Sequence, residues 1–185
     1  MRRKRFRPVP SLKGPMDFLG GLWDFFTSVA NDPIAYCIIF YIFCILAAIV
    51  LPIPVELGLF LNPGVDIVIK ALILGAGKAT GSILVFYIGF SVEKPIRRWS
   101  TNWHWFKRFV DGMEWLVAKL KYVGLYILLS IPLMTDTVPI YLWSIFNKEG
   151  KAMSVPYFAL TNLLAGITRA SIVYVLFIEF GIKIG

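Results

Sequence analysis

Charge is scarce in this chain. Of its 185 residues, 16% are charged, against about 25% in soluble domains. Histidine occurs once, as His104. No second histidine or cysteine is placed to complete a metal site with it, and no Ser-His or Cys-His set can be assembled, so no metal, no cofactor and no enzymatic activity are expected. Cysteine occurs twice, as Cys37 and Cys44, inside one apolar run. Seven helical residues would hold them about 10 Å apart, too far for a mutual disulfide. They read as small apolar residues of a helix.

What the chain has instead is apolar residues in long blocks: 58% are hydrophobic and the mean hydropathy is +0.72. Blocks of that length define an all-α integral membrane protein with a single membrane domain over 34–185. The net charge of +8 does not point to nucleic acid, because the basic residues flank the apolar blocks, as they do where a membrane protein meets cytoplasm. The tail at 1–13 holds six Lys/Arg and is too far from the first apolar run to be a cleaved signal. Up to residue 33 a short aromatic segment with Asp17, Asp24 and Asp32 follows, and it reads as an interfacial amphipathic helix.

The membrane domain divides into a span at 34–51, a proline-broken stretch at 52–69, a span at 70–92, a basic segment at 93–121, a second broken stretch at 123–147 and a span at 154–182. The segment 93–121 carries seven Lys/Arg and four tryptophans. Its apolar residues recur at helical spacing, which predicts a second surface helix. Pro52, Pro54 and Pro63 break the first stretch; Pro132 and Pro139 break the second. The positive-inside rule puts the N-terminus and 93–121 in the cytoplasm. The spans at 34–51 and 70–92 then run in opposite senses, with 52–69 dipping in from outside. The stretch 123–147 dips in from the cytoplasm, and the C-terminus lies outside the cell membrane. Re-entrant hairpin plus span thus occurs twice with opposite polarity, an inverted repeat of the kind transporters use.

Each hairpin carries one acid, Glu56 or Asp136, and each following span one base, Lys78 or Arg169. An ionised group at that depth is costly unless it pairs or works. The economical pairing is within each repeat, Glu56 with Lys78 and Asp136 with Arg169. Functionally, the acids would gate or take protons, and the bases would hold a phosphate head group. The bland alternatives are caps on broken half-helices and ion pairs that only fix hairpin position. Thr135, Thr137 and Asn162 are candidates to line a polar cavity, or to bond freed backbone locally. GAGKATGS at 75–82 lacks phosphate-loop spacing. Gly75, Gly77 and Gly81 there instead predict close helix packing.

Several of these residues fall into a known pattern. PIPVE at 52–56 resembles the Pro-x-Pro-x-Glu element of the DedA (VTT, or SNARE-associated) membrane proteins. Gly81, Tyr87 and Gly89 match that family's G-x5-Y-x-G. Pro132 stands at its second-hairpin proline, and Phe158, Asn162 and Gly166 match F-x3-N-x3-G. The likeness spans about 50–181. The sequence departs from the family at Leu129 to Asp136, where the arginines of R-x-x-P-x-x-R are absent, and at Phe90, where a basic residue is usual. Arg169 is the candidate to replace that charge. The resemblance implies two facing re-entrant hairpins and a flippase- or scramblase-like role. The cargo would be a polyprenyl (undecaprenyl) phosphate or a phospholipid, with proton coupling through the hairpin acids. Expected partners are membrane lipids, protons and a second copy of the chain. A small-solute or ion exporter and a non-transporting assembly protein are the competing expectations.

Overall fold

The computed structural model describes residues 32–51, 54–100, 104–147 and 153–179, together with positions 21, 24 and 28. The basic tail, nearly all of the interfacial segment before Pro33, Pro52 and the turn at 148–151 lie outside the described residues. Within them the chain is helical and has no strand.

Helix α1 is Pro33–Ile49. Proline at its first turn costs no hydrogen bond, and the Asp32 carboxylate caps it by accepting from the Ile34 and Ala35 amides at 2.9 and 3.2 Å. At 17 residues it is about 26 Å long, short of a hydrocarbon core of about 30 Å. It stops just before the prolines, and a 3₁₀ helix, Val55–Phe60, begins after Pro54. Asn62, with φ 50°, then turns the chain, its side chain accepting from the Gly64 amide. Asparagine tolerates that left-handed backbone better than most residues. Asp66 caps the next helix by accepting from the Val68 amide at 2.7 Å.

Helix α2 is Ile67–Ser100, and α5, the last, is Val155–Glu179. Each contains a stretch long and apolar enough to cross a membrane, Ile67–Gly89 and Val155–Leu176. Between them, α3 (His104–Ser130) is kinked at Lys121, where φ is 40° and ψ −130°. A turn at 131–136, with Leu133 at φ 62°, leads into α4, Thr137–Ile145. The described residues of the segment 93–121 are helical. Residues 93–100 extend α2, and 104–121 are the surface half of α3, packed inward through Val110 and Val117 with Trp105 and Trp115 exposed.

Contacts fix the helix directions. Gly77 packs on Tyr41 and Cys44, and one turn later Gly81 packs on Ile45 and Ala48. The Lys70 ammonium lies over the Tyr36 ring. Residue numbers rise together along both helices, so α1 and α2 are parallel. This corrects the expectation that spans 34–51 and 70–92 run in opposite senses. The return is made by 50–66: Gly58 packs on the Phe40 ring, mid-helix, and the Tyr36 hydroxyl donates to the Gly58 carbonyl at 2.7 Å. The unit that turns back is thus α1 with its 3₁₀ return arm, not 52–69 alone. The opposite senses were inferred from the charge of the flanking segments alone, which carries no information on how 50–66 folds back along α1.

Helices α2 and α5 are antiparallel. Gly75 meets Gly166 so closely that a Cβ on Gly166 would lie 2.8 Å from the Gly75 Cα, an approach open only to glycine. Farther along, Phe86 packs edge-on against Phe158. After the kink, α3 runs alongside α5, with Tyr122 against Tyr157 and Leu129 bonded to Arg169. Helix α4 then comes back, so that the Trp143 indole donates to the Lys121 carbonyl at 2.8 Å and Ser144 to that of Val85.

Candidate functional site

Four charged side chains meet where the two turned-back segments face the long helices. Glu56 sits in the first turn of the 3₁₀ helix, and Asp136 in the turn that opens α4. Lys78 and Arg169 project from the middles of α2 and α5. All four are at most 3% exposed. They form one chain of alternating sign. Glu56 Oε1 accepts from Arg169 Nη1 at 2.8 Å, Arg169 Nη1 lies 3.0 Å from Asp136 Oδ1, and Asp136 Oδ1 lies 2.8 Å from Lys78 Nζ. The expected contact of Asp136 with Arg169 is present. Glu56, however, is held by Arg169 and not by Lys78, and Lys78 is held by Asp136. The order makes Arg169 and Asp136 hubs with two charged neighbours each, and leaves Glu56 and Lys78 as ends.

Backbone completes the cluster. Arg169 Nε donates to the Leu129 carbonyl at 2.7 Å and Nη1 to that of Met134 at 2.9 Å. These carbonyls flank Pro132, where the helix breaks and leaves acceptors free. A guanidinium, with five donors in a planar fork, suits such a position better than an ammonium. Neither acid behaves as a helix cap: Asp136 makes no side-chain bond to the start of α4, and its carboxylate faces the two bases.

Hydrogen-bonding capacity is left over in this buried cluster. Among the described residues, Glu56 Oε2, Arg169 Nη2 and Asn162 Oδ1 are buried without a hydrogen-bond partner, and Lys78 Nζ touches Asp136 at ion-pair distance without hydrogen-bond geometry. Buried ionisable groups are kept where something in the fold or its work requires them, which makes this cluster the candidate site.

The other expected residues divide. Asn162 is fully buried and donates to the Phe158 carbonyl on its own helix. Thr137 donates to the Ala47 carbonyl at 2.9 Å, tying α4 to the end of α1. Thr135 is half-buried in the turn with Pro132, Pro139 is buried in the first turn of α4, and Pro54 precedes the 3₁₀ helix. Gly89 lets Ser144 of α4 against α2. Reasoning from sequence missed Lys70, which is buried and donates to the Leu59 and Leu61 carbonyls at 2.9 and 2.8 Å, clamping the return arm to α2. It also missed a matched pair of bonds, Tyr41 to Thr80 and Tyr126 to Thr168, both 2.7 Å. Their signal was present: FYIF at 40–43 resembles LYIL at 125–128, and Ala71, Leu72 and Thr80 share the spacing of Ala159, Leu160 and Thr168.

No family model, no curated protein and no solved structure matches the chain.

Proposed function

We propose that this chain is a DedA-like membrane lipid transporter, moving a phosphate-bearing lipid such as a polyprenyl phosphate or a phospholipid between leaflets. The observation that carries the proposal is the buried Glu56–Arg169–Asp136–Lys78 chain, set between two backbone breaks in an apolar helical bundle. Irregular backbone at membrane depth is tolerated only where it is buried in protein or lines a wet path. The architecture that goes with this reading is an inverted repeat. One hairpin is α1 with its 3₁₀ return, followed by α2; the other is the second half of α3 with α4, followed by α5. The matched Tyr–Thr bonds and the antiparallel α2–α5 pair support it. Exposed Lys107, Arg108, Lys119 and Lys121, placed toward the cytoplasm, put the end of α5 outward, in keeping with an outer C-terminus.

Charge balance dictates how a phosphate could enter. Two acids and two bases sum to zero, so an added phosphate monoanion leaves a buried negative charge unless a proton comes with it. Glu56 is the natural acceptor, because Arg169 remains tied to Asp136 when Glu56 is neutral. The freed Arg169 nitrogens then take the phosphate. This charge balance supports proton coupling as the mode of lipid movement.

The test is flipping in proteoliposomes with a fluorescent phospholipid and a short-chain polyprenyl phosphate, with and without a pH gradient. Wild type is expected to move at least one of them, and Glu56→Gln to lose the response to the gradient. No movement of either lipid by wild type would contradict the reading. A second reading, a non-transporting assembly protein, draws on the near-complete burial and charge neutrality of the cluster. It expects function to survive removal of an acid–base pair together. A small-solute or ion exporter expects water-soluble substrates to compete.

A further inference from the structure

The exposed faces of α1 and of the surface half of α3 differ in chemistry. On α1 the exposed residues Ile34, Ile38, Ile42, Leu46 and Val50 follow one another at four-residue spacing, and all are aliphatic. On α3, ahead of the kink at Lys121, Trp105, Arg108, Gly112, Trp115 and Lys119 are exposed. Steps of three and four residues put these five on one stripe of the helix. The α1 face suits hydrocarbon. The α3 stripe does not, because two cations stand on it. Bulk water suits it no better, since two large indoles stay uncovered, Trp105 at 74% and Trp115 at 61% exposure.

The position of the stripe fits a third medium. Val110 and Val117, on the opposite side of the helix, pack in one core with Val85 and Phe86 of α2, Phe146 and Met153. The apolar stretches of α2 and α5 have their ends close by, at Gly89 and Val155. This half of α3 therefore lies against the bundle where its apolar part stops, at the level of lipid head groups. There an indole finds the acyl boundary and a cation finds anionic head groups. The stripe is also braced. The Trp105 ring stacks on Phe109, which packs edge-on against Phe146, and Lys119 Nζ sits 4.6 Å from the centre of the Trp115 ring. Asp111 and Glu114 fall off the stripe by helical spacing, so the charge of the stripe itself is positive.

We propose that this stripe is a docking surface for acidic lipid: Trp105 and Trp115 enter the head-group layer of the leaflet at the end of α2, and Arg108 and Lys119 bind its anionic head groups. Charge complementarity selects an acidic bilayer over a zwitterionic one. The assignment rests on the bundle lying in a membrane and is independent of the transport reading.

Gly112 provides the probe. It lies mid-stripe, with nothing within 4 Å of where a Cβ would stand, so a spin label carried by Gly112→Cys reads the medium over the stripe without disturbing the packing. Cys37→Ser and Cys44→Ala remove the native thiols. The labelled protein would be reconstituted in vesicles of phosphatidylcholine alone, and of phosphatidylcholine with a quarter phosphatidylglycerol. Power saturation then reads contact with a water-soluble nickel reagent and with oxygen. Adding phosphatidylglycerol is expected to lower nickel contact and raise oxygen contact, and high salt to reverse the shift. Arg108→Gln with Lys119→Gln should abolish the shift, and Arg108→Lys with Lys119→Arg should keep it. A label open to nickel in both vesicles would overturn the site. So would a label equally shielded in both, because something other than acidic lipid, such as a second copy of the chain, would then cover the stripe.

Discussion

The two turned-back segments are held by different chemistry. In the first, α1 with its 3₁₀ return, the return arm gives two carbonyls, Leu59 and Leu61, to Lys70, whose ammonium also lies over the Tyr36 ring. In the second, the tip gives two carbonyls, Leu129 and Met134, to Arg169, but Arg169 also carries Glu56 and Asp136. Both solve one problem, backbone acceptors set free at a helix break in an apolar medium. The first solution is one ammonium clamped on two carbonyls and a ring. The second is wired into the four-charge chain. Because Glu56 lies on the return arm of the first segment and Asp136 at the tip of the second, the charge chain ties both to Arg169, and the Lys70 clamp is a further hold that belongs to the first.

The comparison is broken hardest at the hubs. Arg169→Met strands Glu56, and Asp136→Leu strands Lys78. Each is expected to cost about 3–5 kcal/mol, the range for leaving a buried charge without its partner. Removing an end is milder, because the hubs stay paired. Glu56→Gln and Lys78→Met are each expected to cost about 1–3 kcal/mol. Equilibrium unfolding in detergent measures both sets. Equal losses at hubs and ends would contradict the linear order Glu56–Arg169–Asp136–Lys78.

The clamp of the first segment is probed at Lys70. Lys70→Met leaves two carbonyls without their donor and is expected to cost about 1.5–3 kcal/mol. Hydrogen exchange should rise at 56–61 and stay unchanged at 129–137. A rise in both segments would mean that the two are not separately held. The smallest effect is expected at Leu133, which is exposed and has φ 62°. Leu133→Gly removes left-handed strain without removing packing, so stability should hold or rise by up to about 1 kcal/mol. A clear loss would show that the side chain anchors the tip.

Much of this was legible in the residues. Helical class, two broken stretches, and one acid and one base per half follow from hydropathy, proline and the cost of buried charge. The direction of α1 was not legible. Seventeen apolar residues look the same whether they cross a membrane or turn back, and only Gly77 and Gly81 against Tyr41 to Ala48 fix the register. Pairing was half legible. Neutrality demands two acids for two bases, but which ones meet depends on how α2 and α5 cross at Gly75 and Gly166. The Arg169 carbonyl contacts were hidden for another reason: backbone acceptors have no side-chain identity, and Pro132 alone hinted at them.

The central claim is that the four-charge chain passes lipid and is not merely a fastener. The direct measurement is lipid flipping by wild type and by the double variant Lys78→Met with Asp136→Leu, reconstituted side by side. Removing an acid and a base together leaves Glu56 and Arg169 paired, so the double variant should unfold within about 1–2 kcal/mol of wild type. The expected result is a folded protein that moves no lipid beside a wild type that does. A double variant that flips lipid at the wild-type rate would contradict the claim and return the cluster to a structural role.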